Sequence, residues 1–468
     1  MYRLYVSAAH KSSGKTTVAI GLAAALRARG LAVQPFKKGP DFIDPLWLGA
    51  AAGRSCYNLD PYLSSTAEIR AMFDGACGGA EVALVEGNMG LHDGMALDGS
   101  DSNAALAGLL DTPVLLVLDV RGLTRSVAPV VLGLQDFDRS IRVAGVILNR
   151  VAGVRHESKL RAALAHYTDI PVFGALREDA SLGIEERHLG LRPATESSSA
   201  DEQIRHTAGV VTAAVDLDAL LAACGVPGAA PQPAREPVRA SGTELRLGIA
   251  RDRAFGFYYA DDLAALQRAG ARLVYFDALA DARLPDVDAL YLGGGFPEML
   301  GAELAANRSL LAAIRVAVQN GLPTYAECGG LMLLARTILW NNVSYPMAGV
   351  IPADVVMCER PVGRGYVHLD ETADMPWPRR APATVRAHEF HHSKLVNVDP
   401  GLRYAYRVRR GFGVDGERDG IVIHNALASY AHLRGTGGND WPARFVEFVQ
   451  ARRGVHDGAQ RAAGGGAG

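Results

Sequence analysis

Residues 7–17, SAAHKSSGKTT, offer chemistry first. The run ends Gly14-Lys15-Thr16-Thr17, the tail of a phosphate-binding loop, with Ala9 where such loops usually open on glycine. In these loops backbone N–H groups and a helix N-terminus converge on phosphate oxygens. The lysine reaches the terminal phosphates and the threonine hydroxyl ligates Mg²⁺. Ser13, Gly14, Lys15, Thr16 and Thr17 keep most of those contacts, so a bound nucleotide is expected. An ordinary strand-to-helix turn that happens to hold Lys15 is the plain alternative. VALVEGNMGLHDG adds Glu86 at an apolar run's end and Asp93 beyond glycines. FKKGPDFIDP gathers Lys37, Lys38, Asp41 and Asp44 in one short stretch. A carboxylate at the C-terminal edge of a parallel sheet faces the crevice where ligands bind, and suits Mg²⁺. Lysines and carboxylates together suit an anionic substrate beside a metal–phosphate group. Taken singly each stretch also fits a solvated loop.

A second chemistry sits in PTYAECGGLMLL, which reads as a strand, then Glu327-Cys328-Gly329-Gly330, then a helical run. A tight strand-to-helix turn exposes a thiol, and the helix end favours its thiolate. The N–H after the cysteine can stabilise an oxyanion, as can backbone donors from YLGGGFPE: Gly293, Gly294 and Gly295. A general base is needed, and HNALASYAHLR supplies His432, with His424 as rival. HEFHHS (His388, Glu389, His391, His392) fits no standard zinc spacing and reads as a loop lining a substrate crevice. The other cysteines, Cys56, Cys77, Cys224 and Cys358, lack such surroundings and read as buried, inert thiols.

Two α/β units can position these groups. LYVSA, LAVQPF, VALVEG, PVLLVLDV, VAGVILN and IPVFGAL are continuously apolar, as in strands covered on both faces of a parallel sheet. Between the first two lies TTVAIGLAAALRARG, a helix closed by Gly30. A helical segment around DLDALLAACG precedes GVPGAAPQPAREPVRASG, whose Pro, Gly and Ala content reads as a linker. The α/β pattern restarts at LRLGIA and runs through RLVYF, ALYLGGG and PTYAEC. The expected bounds are 1–224, a linker over 225–243, a second domain over 244–452, and a disordered tail over 453–468. A length of 468 residues, 49% hydrophobic and 21% charged, fits two soluble globular domains. A formal net charge of −2 without a charged block argues against nucleic acid. The most apolar segment is broken by Asp111, Pro113 and Asp119, so no membrane span is expected. Five cysteines without a CxxC pair point to a reducing, cytoplasmic setting.

SSGKTT, PFKKGPDFIDP, NLDP, VEGNMGLHDG, GVILNRV, ERHLGL, YLGGGFPE, AECGGLM, HEFHHS and ASYAHL occur in the order seen in cobyrinate a,c-diamide synthases. The chain resembles that family over nearly its whole length. The resemblance implies a P-loop, dethiobiotin-synthetase-like parallel-sheet domain followed by a class I glutamine amidotransferase-like α/β domain. It implies amidation of the a and c acetate carboxylates of a corrin precursor through an acyl phosphate, using ATP, Mg²⁺ and glutamine. By motif, Cys328 is the glutaminase nucleophile and His432 activates it, with Gly294, Gly295 and Gly329 around the oxyanion. Lys15, Thr16 and Glu86 would hold ATP and Mg²⁺, Asp41 joining them at the metal and Lys38 at the nucleotide. Asp41 and Asp93 belong to motifs of the amidation site, and Asn149 would contact adenine. A closed path for ammonia is expected, and a homodimer is the expected assembly. Asn88 in VEGN and the HKSSGKTT form of the loop resemble more closely a sister branch that amidates sirohydrochlorin or sirohaem. His92 also departs from the commoner pattern, and Arg434 stands where relatives often have histidine. Cobyric acid synthase shares both domains, but GPDFIDP and NLDP speak against it. A regulatory P-loop ATPase with a dead amidotransferase fold is the reading from another class.

Overall fold

The computed structural model describes residues 1–184, 186–187, 190–194, 199–225, 244–380 and 384–464. The chain divides into two compact units, Met1–Glu236 and Pro237–Gly468. Residues 226–243, nearly all of the expected linker, lie outside the described residues.

The first unit is built on a seven-stranded sheet, in the order Tyr57–Leu59, Val33–Lys38, Val82–Glu86, Tyr2–Ala8, Val114–Asp119, Val143–Val151, Val172–Arg177. Every pairing is parallel. The apolar runs alternate between two cores: Leu4, Val6, Val82 and Leu84 face one side, Tyr5, Ala83 and Val85 the other. Helices cover both faces, which is why these strands carry no polar face. Helix Lys15–Ala28 packs against helix Ala200–Ala214 so closely that a Cβ on Gly21 would lie 2.4 Å from Val211 Cγ2. Its end matches the Gly30 signal. Gly30 takes φ 85°, and Gly30 N and Leu31 N donate back to Arg27 O (2.9 Å) and Leu26 O (3.2 Å). The DLDALLAACG segment forms helix Leu217–Cys224, capped by Asp216. The three-residue strand Tyr57–Leu59 is too short for a pattern to reveal.

The second unit carries a nine-stranded sheet, in the order Ala271–Phe276, Leu245–Ala250, Ala289–Leu292, Thr324–Glu327, Ala426–Ser429, Arg418–Ile423, Arg403–Arg410, Gly363–Glu371, Thr384–His391. The first five strands are mutually parallel and the rest antiparallel. Two sequence expectations change here. HEFHHS is not a loop: its first four residues close strand Thr384–His391, where Val385, Ala387, Glu389 and His391 turn inward and their neighbours do not. That period-two alternation is a strand signal, obscured by polar inward residues. The final helix runs Trp441–Gly464, past residue 452 where a disordered tail is expected. VHDGAQRAA contains enough Ala, Gln and Arg to carry a helix already started by the packed segment before it.

Candidate active sites

In the first unit three neighbouring strands deliver their C-terminal ends to one edge. Strand Tyr2–Ala8 leads into the phosphate-binding loop, Val33–Lys38 ends on the lysines, and Val82–Glu86 ends on Glu86. The register sets Glu86 beside Lys37 on one side and Val6 on the other. Lys37 Nζ lies 2.5 Å from Asp44 Oδ2 and 3.1 Å from Glu86 Oε1. Thr16 Oγ1 donates to Glu86 Oε1 at 2.6 Å and approaches Asp44 Oδ2 at 3.4 Å. Thr16, Lys37, Asp44 and Glu86 therefore form one cluster. Burial pushes the Glu86 carboxyl up, against the pull of Lys37. Burial also works to lower Lys37, but Asp44 and Glu86 outweigh it and hold the ammonium firmly charged. Lys15, buried in the first helical turn, is pushed down to about 8 by desolvation, against Glu86.

Other predicted residues of this unit have different surroundings. Asp41 Oδ1 accepts from the N–H groups of Ile43 (2.8 Å) and Asp44 (3.1 Å), tying down the first turn of helix Ile43–Ala52. Burial and the nearby Asp44 charge raise its carboxyl to about 7. Lys38 is buried, with its ammonium pushed down by desolvation in the neighbourhood of Asp101 and Asp60. Asp93 is exposed and accepts from Gly90 N at 2.8 Å. Ser13 is buried and donates to His10 O at 2.8 Å, and Thr17 is half-buried in the helix's first turn. Asn149 Nδ2 donates to Ser13 O at 2.9 Å, and a Cβ on Gly14 would meet that nitrogen at 2.2 Å. The Asn149 amide thus latches the phosphate-binding loop. His92 is turned away from the cluster, bonded to Leu134 O at 2.8 Å and set against Phe137.

Sequence reasoning missed Asn103. It is fully buried, accepts from Tyr5 OH and Asn88 N (both 3.0 Å), and donates to the carbonyls of Asn88 and Gly90. It pins the loop after Glu86, which includes Met89 at φ 55°. A lone Asn at the start of a helix gives no sequence signal for that role. A cleft of about 670 Å³ opens beside the phosphate-binding loop, lined by Ala9, His10, Asp119, Arg121 and Gly122 among others. That volume suits a small-molecule ligand.

Mg²⁺ fits the cluster on one observation. Glu86 Oε2 is buried without a hydrogen-bond partner, beside the Thr16 hydroxyl. Among the described residues no group of three or more His, Cys, Asp or Glu is arranged to hold a metal. A divalent ion here would therefore draw most of its ligands from phosphate and water, as Mg²⁺ commonly does.

In the second unit Cys328 joins strand Thr324–Glu327 to the short helix Gly329–Leu334, with φ 47° and ψ −98°. A non-glycine residue rarely takes such a conformation, and strain of this kind gathers at functional sites. Cys328 N donates to Ser429 O at 2.7 Å, tying the turn to strand Ala426–Ser429. His432 lies just past that strand. It is buried, and its backbone exchanges hydrogen bonds with His388 at 2.7 and 3.2 Å. His424 is exposed at the opposite end of the same strand, with φ 52° in the hairpin turn. The three predicted glycines converge on this corner. A Cβ on Gly294 would lie 2.6 Å from His432 Cε1, and one on Gly329 would lie 3.0 Å from Gly295 N. Gly293 N–H instead donates to Tyr258 OH at 3.0 Å. Asp419, fully buried, accepts from Ser429 Oγ, Tyr430 N, Ala431 N and Gly420 N, and so shapes the turn that presents His432.

Burial pushes the Cys328 thiol up, with the Glu298 charge adding to it. The sequence expectation that the helix end favours a thiolate is outweighed here, because a six-residue helix has little dipole to offer a desolvated sulfur. A base beside the thiol is correspondingly needed.

Comparison with known proteins assigns each unit to a domain family. Residues 6–191 match the CobQ/CobB/MinD/ParA nucleotide binding domain, and residues 246–439 the CobB/CobQ-like glutamine amidotransferase domain. A cobyrinate a,c-diamide synthase from Magnetococcus marinus is 45% identical over 456 residues, covering 96% of this chain and 97% of that protein. The chain belongs to the cobyrinate a,c-diamide synthase family. Synthases of the same name from Methanosarcina acetivorans and Listeria monocytogenes are each 38% identical, covering 95% and 92% of this chain and 95% and 96% of their own. Membership makes the protein a glutamine-hydrolysing amidoligase with a nucleotide-binding domain and an amidotransferase domain. No helix among the described residues is long and apolar enough to cross a membrane.

Proposed function

We propose that this chain amidates the a and c acetate carboxylates of cobyrinate, using ATP in its first unit and ammonia released from glutamine in its second. The observation that carries the reading is the match to the diamide synthases along 96% of the chain. A carboxylate is a poor electrophile, so the first unit would transfer the terminal phosphoryl group of ATP to the carboxylate oxygen. Ammonia then attacks the acyl carbon and phosphate leaves. Positioning and charge stabilisation supply most of the catalysis in such transfers. Lys15 and the loop N–H groups would hold the phosphates, and Thr16 and Glu86 would hold Mg²⁺, which when bound offsets phosphate charge. Lys37 keeps Glu86 and Asp44 in place through their ion pairs. Asp41 and Asp93 border the acceptor carboxylate in this reading, and Lys38 and Asn149 support the nucleotide side.

In the second unit the Cys328 sulfur would attack the glutamine amide carbon while His432 takes the thiol proton and delivers it to the leaving nitrogen. Backbone N–H groups at Gly294, Gly295 and Gly329 would stabilise the oxyanion. Water then cleaves the γ-glutamyl thioester, releasing glutamate. The free cysteines support a cytoplasmic setting, and a homodimer is the proposed assembly.

Mass spectrometry of reactions with ATP, Mg²⁺, glutamine and either cobyrinate or sirohydrochlorin tests the substrate. Two successive replacements of OH by NH₂ on cobyrinate are expected. Modification of sirohydrochlorin alone would move the chain to the branch that Asn88 and the HKSSGKTT loop resemble. No modification of either would overturn the tetrapyrrole assignment.

A further inference from the structure

The residue directly before Cys328 is a buried carboxylate. Glu327 is 1% exposed, yet it is a charged side chain within a core of tyrosines and tryptophans. Isolated burial of a carboxylate is costly, so its partners are informative. Oε2 accepts from Tyr291 OH at 3.0 Å and faces His432 Nδ1 at 3.4 Å. Oε1 accepts from Tyr325 OH and from Leu433 N at 3.0 Å. Tyr291 and Tyr325 are themselves stacked, with centroids 5.3 Å apart and planes 14° from parallel. Each partner can donate, and an ionised carboxylate only accepts, so all its neighbours fit the charged form. Strand geometry makes this meeting possible. Glu327 ends strand Thr324–Glu327 in register with Ser429, and the chain beyond Ser429 curls back so that His432 comes over the carboxylate.

We propose that Glu327 is the positioning residue for His432, completing a Glu327–His432–Cys328 relay in which acid and nucleophile are adjacent in sequence. A carboxylate at Nδ1 fixes the ring as the Nδ1–H tautomer and makes Nε2 the basic nitrogen that can take the proton of Cys328. The Leu433 bond to the same carboxylate fixes the backbone beside the histidine as well. Two other charged groups near this corner are engaged elsewhere, while Glu298 acts on the Cys328 thiol. Asp419 serves Ser429 and three backbone N–H groups. Arg434 pairs with Asp261 at 2.8 Å and lies over the Tyr259 ring. A separation of 3.4 Å is longer than a well-formed N–H···O bond, and such contacts often tighten when substrate binds.

The inference rests on the proposed glutaminase chemistry, so its test separates the two. Glutamine hydrolysis is measured for the full chain, Glu327→Gln, Glu327→Asp and Cys328→Ala, with ammonia-driven amidation followed in parallel. Glu327→Gln is expected to lower kcat roughly 10²-fold, the low end for a positioned acid–base group, with KM for glutamine little changed and Glu327→Asp recovering part of the loss. In the unsubstituted chain, ¹⁵N-histidine NMR, with His432→Gln to assign the signal, is expected to show the Nδ1–H tautomer. An Nε2–H tautomer there, or an unchanged kcat in Glu327→Gln, would overturn the inference. The NMR result stands whether or not the variant folds. Glutaminase persisting in Cys328→Ala would instead overturn the functional reading beneath it.

Discussion

Gly294→Ala is the sharpest test of how the glutaminase corner is built. The added Cβ would sit 2.6 Å from His432 Cε1 and 3.3 Å from Phe257 Cβ. Ordinary carbon–carbon contact begins near ~3.5 Å, so the imidazole must move by roughly 1 Å. It cannot retreat freely: its backbone is bonded to His388, and its Nδ1 faces Glu327. Misplacing a reacting group by about 1 Å can cost on the order of 10²-fold in rate. That corresponds to about 2.7 kcal/mol of barrier. Steady-state glutamine hydrolysis should therefore fall about 10²-fold, while amidation driven by free ammonia continues. Overpacking should also lower stability by ~1–3 kcal/mol, visible in thermal unfolding. A folded Gly294→Ala chain hydrolysing glutamine at the unsubstituted rate would refute the reasoning, because His432 could then not be the group that acts on Cys328.

Three further outcomes are expected. Lys37→Met leaves the buried Glu86 and the half-buried Asp44 around an uncharged side chain, and should destabilise the first unit by about 3–5 kcal/mol in denaturant titrations; an unchanged midpoint would mean the ion pairs contribute nothing. Burial holds Lys15 at about 8, so above that pH it is largely neutral, whereas bound phosphate favours its charged form. ATP binding at about pH 9 should accordingly take up a proton and at about pH 6 take up none at this group, which calorimetry in buffers of differing ionisation enthalpy can read; equal uptake at both would sink the assignment. Asp419→Asn replaces an acceptor of four hydrogen bonds with a group that also donates, and should cost ~1–3 kcal/mol and slow glutamine hydrolysis without affecting ammonia-driven amidation; retained glutaminase would show that the turn before His432 holds its shape unaided.

Local patterns carried much of this protein. Continuous apolar runs marked six of the seven strands of the first sheet, because a strand covered on both faces has no polar side to hide it. Gly14-Lys15-Thr16 and Cys328-Gly329-Gly330 stood out as candidates with a strand before and a helix after them, since loop and helix start are contiguous in the chain. The antiparallel half of the second sheet was not legible: RYAYRVRR over Arg403–Arg410 is exposed at its ends and too charged to read as a strand.

What only the tertiary structure decided was pairing across distance. Lys37, rather than Lys38, meets Glu86, and Asp44 bonds into the cluster while Asp41 binds backbone N–H groups of the next helix's first turn, because strand register and helix entry set which side of the chain faces the crevice. Asn149 reaches the Ser13 carbonyl across 136 residues, and Glu327 meets His432 across 105. The sequence by itself determined which groups the chain possesses and which strand end or turn holds each one. Which of them touch is a property of sheet order, and that order is chosen by burial of the whole core, where no single motif can record it.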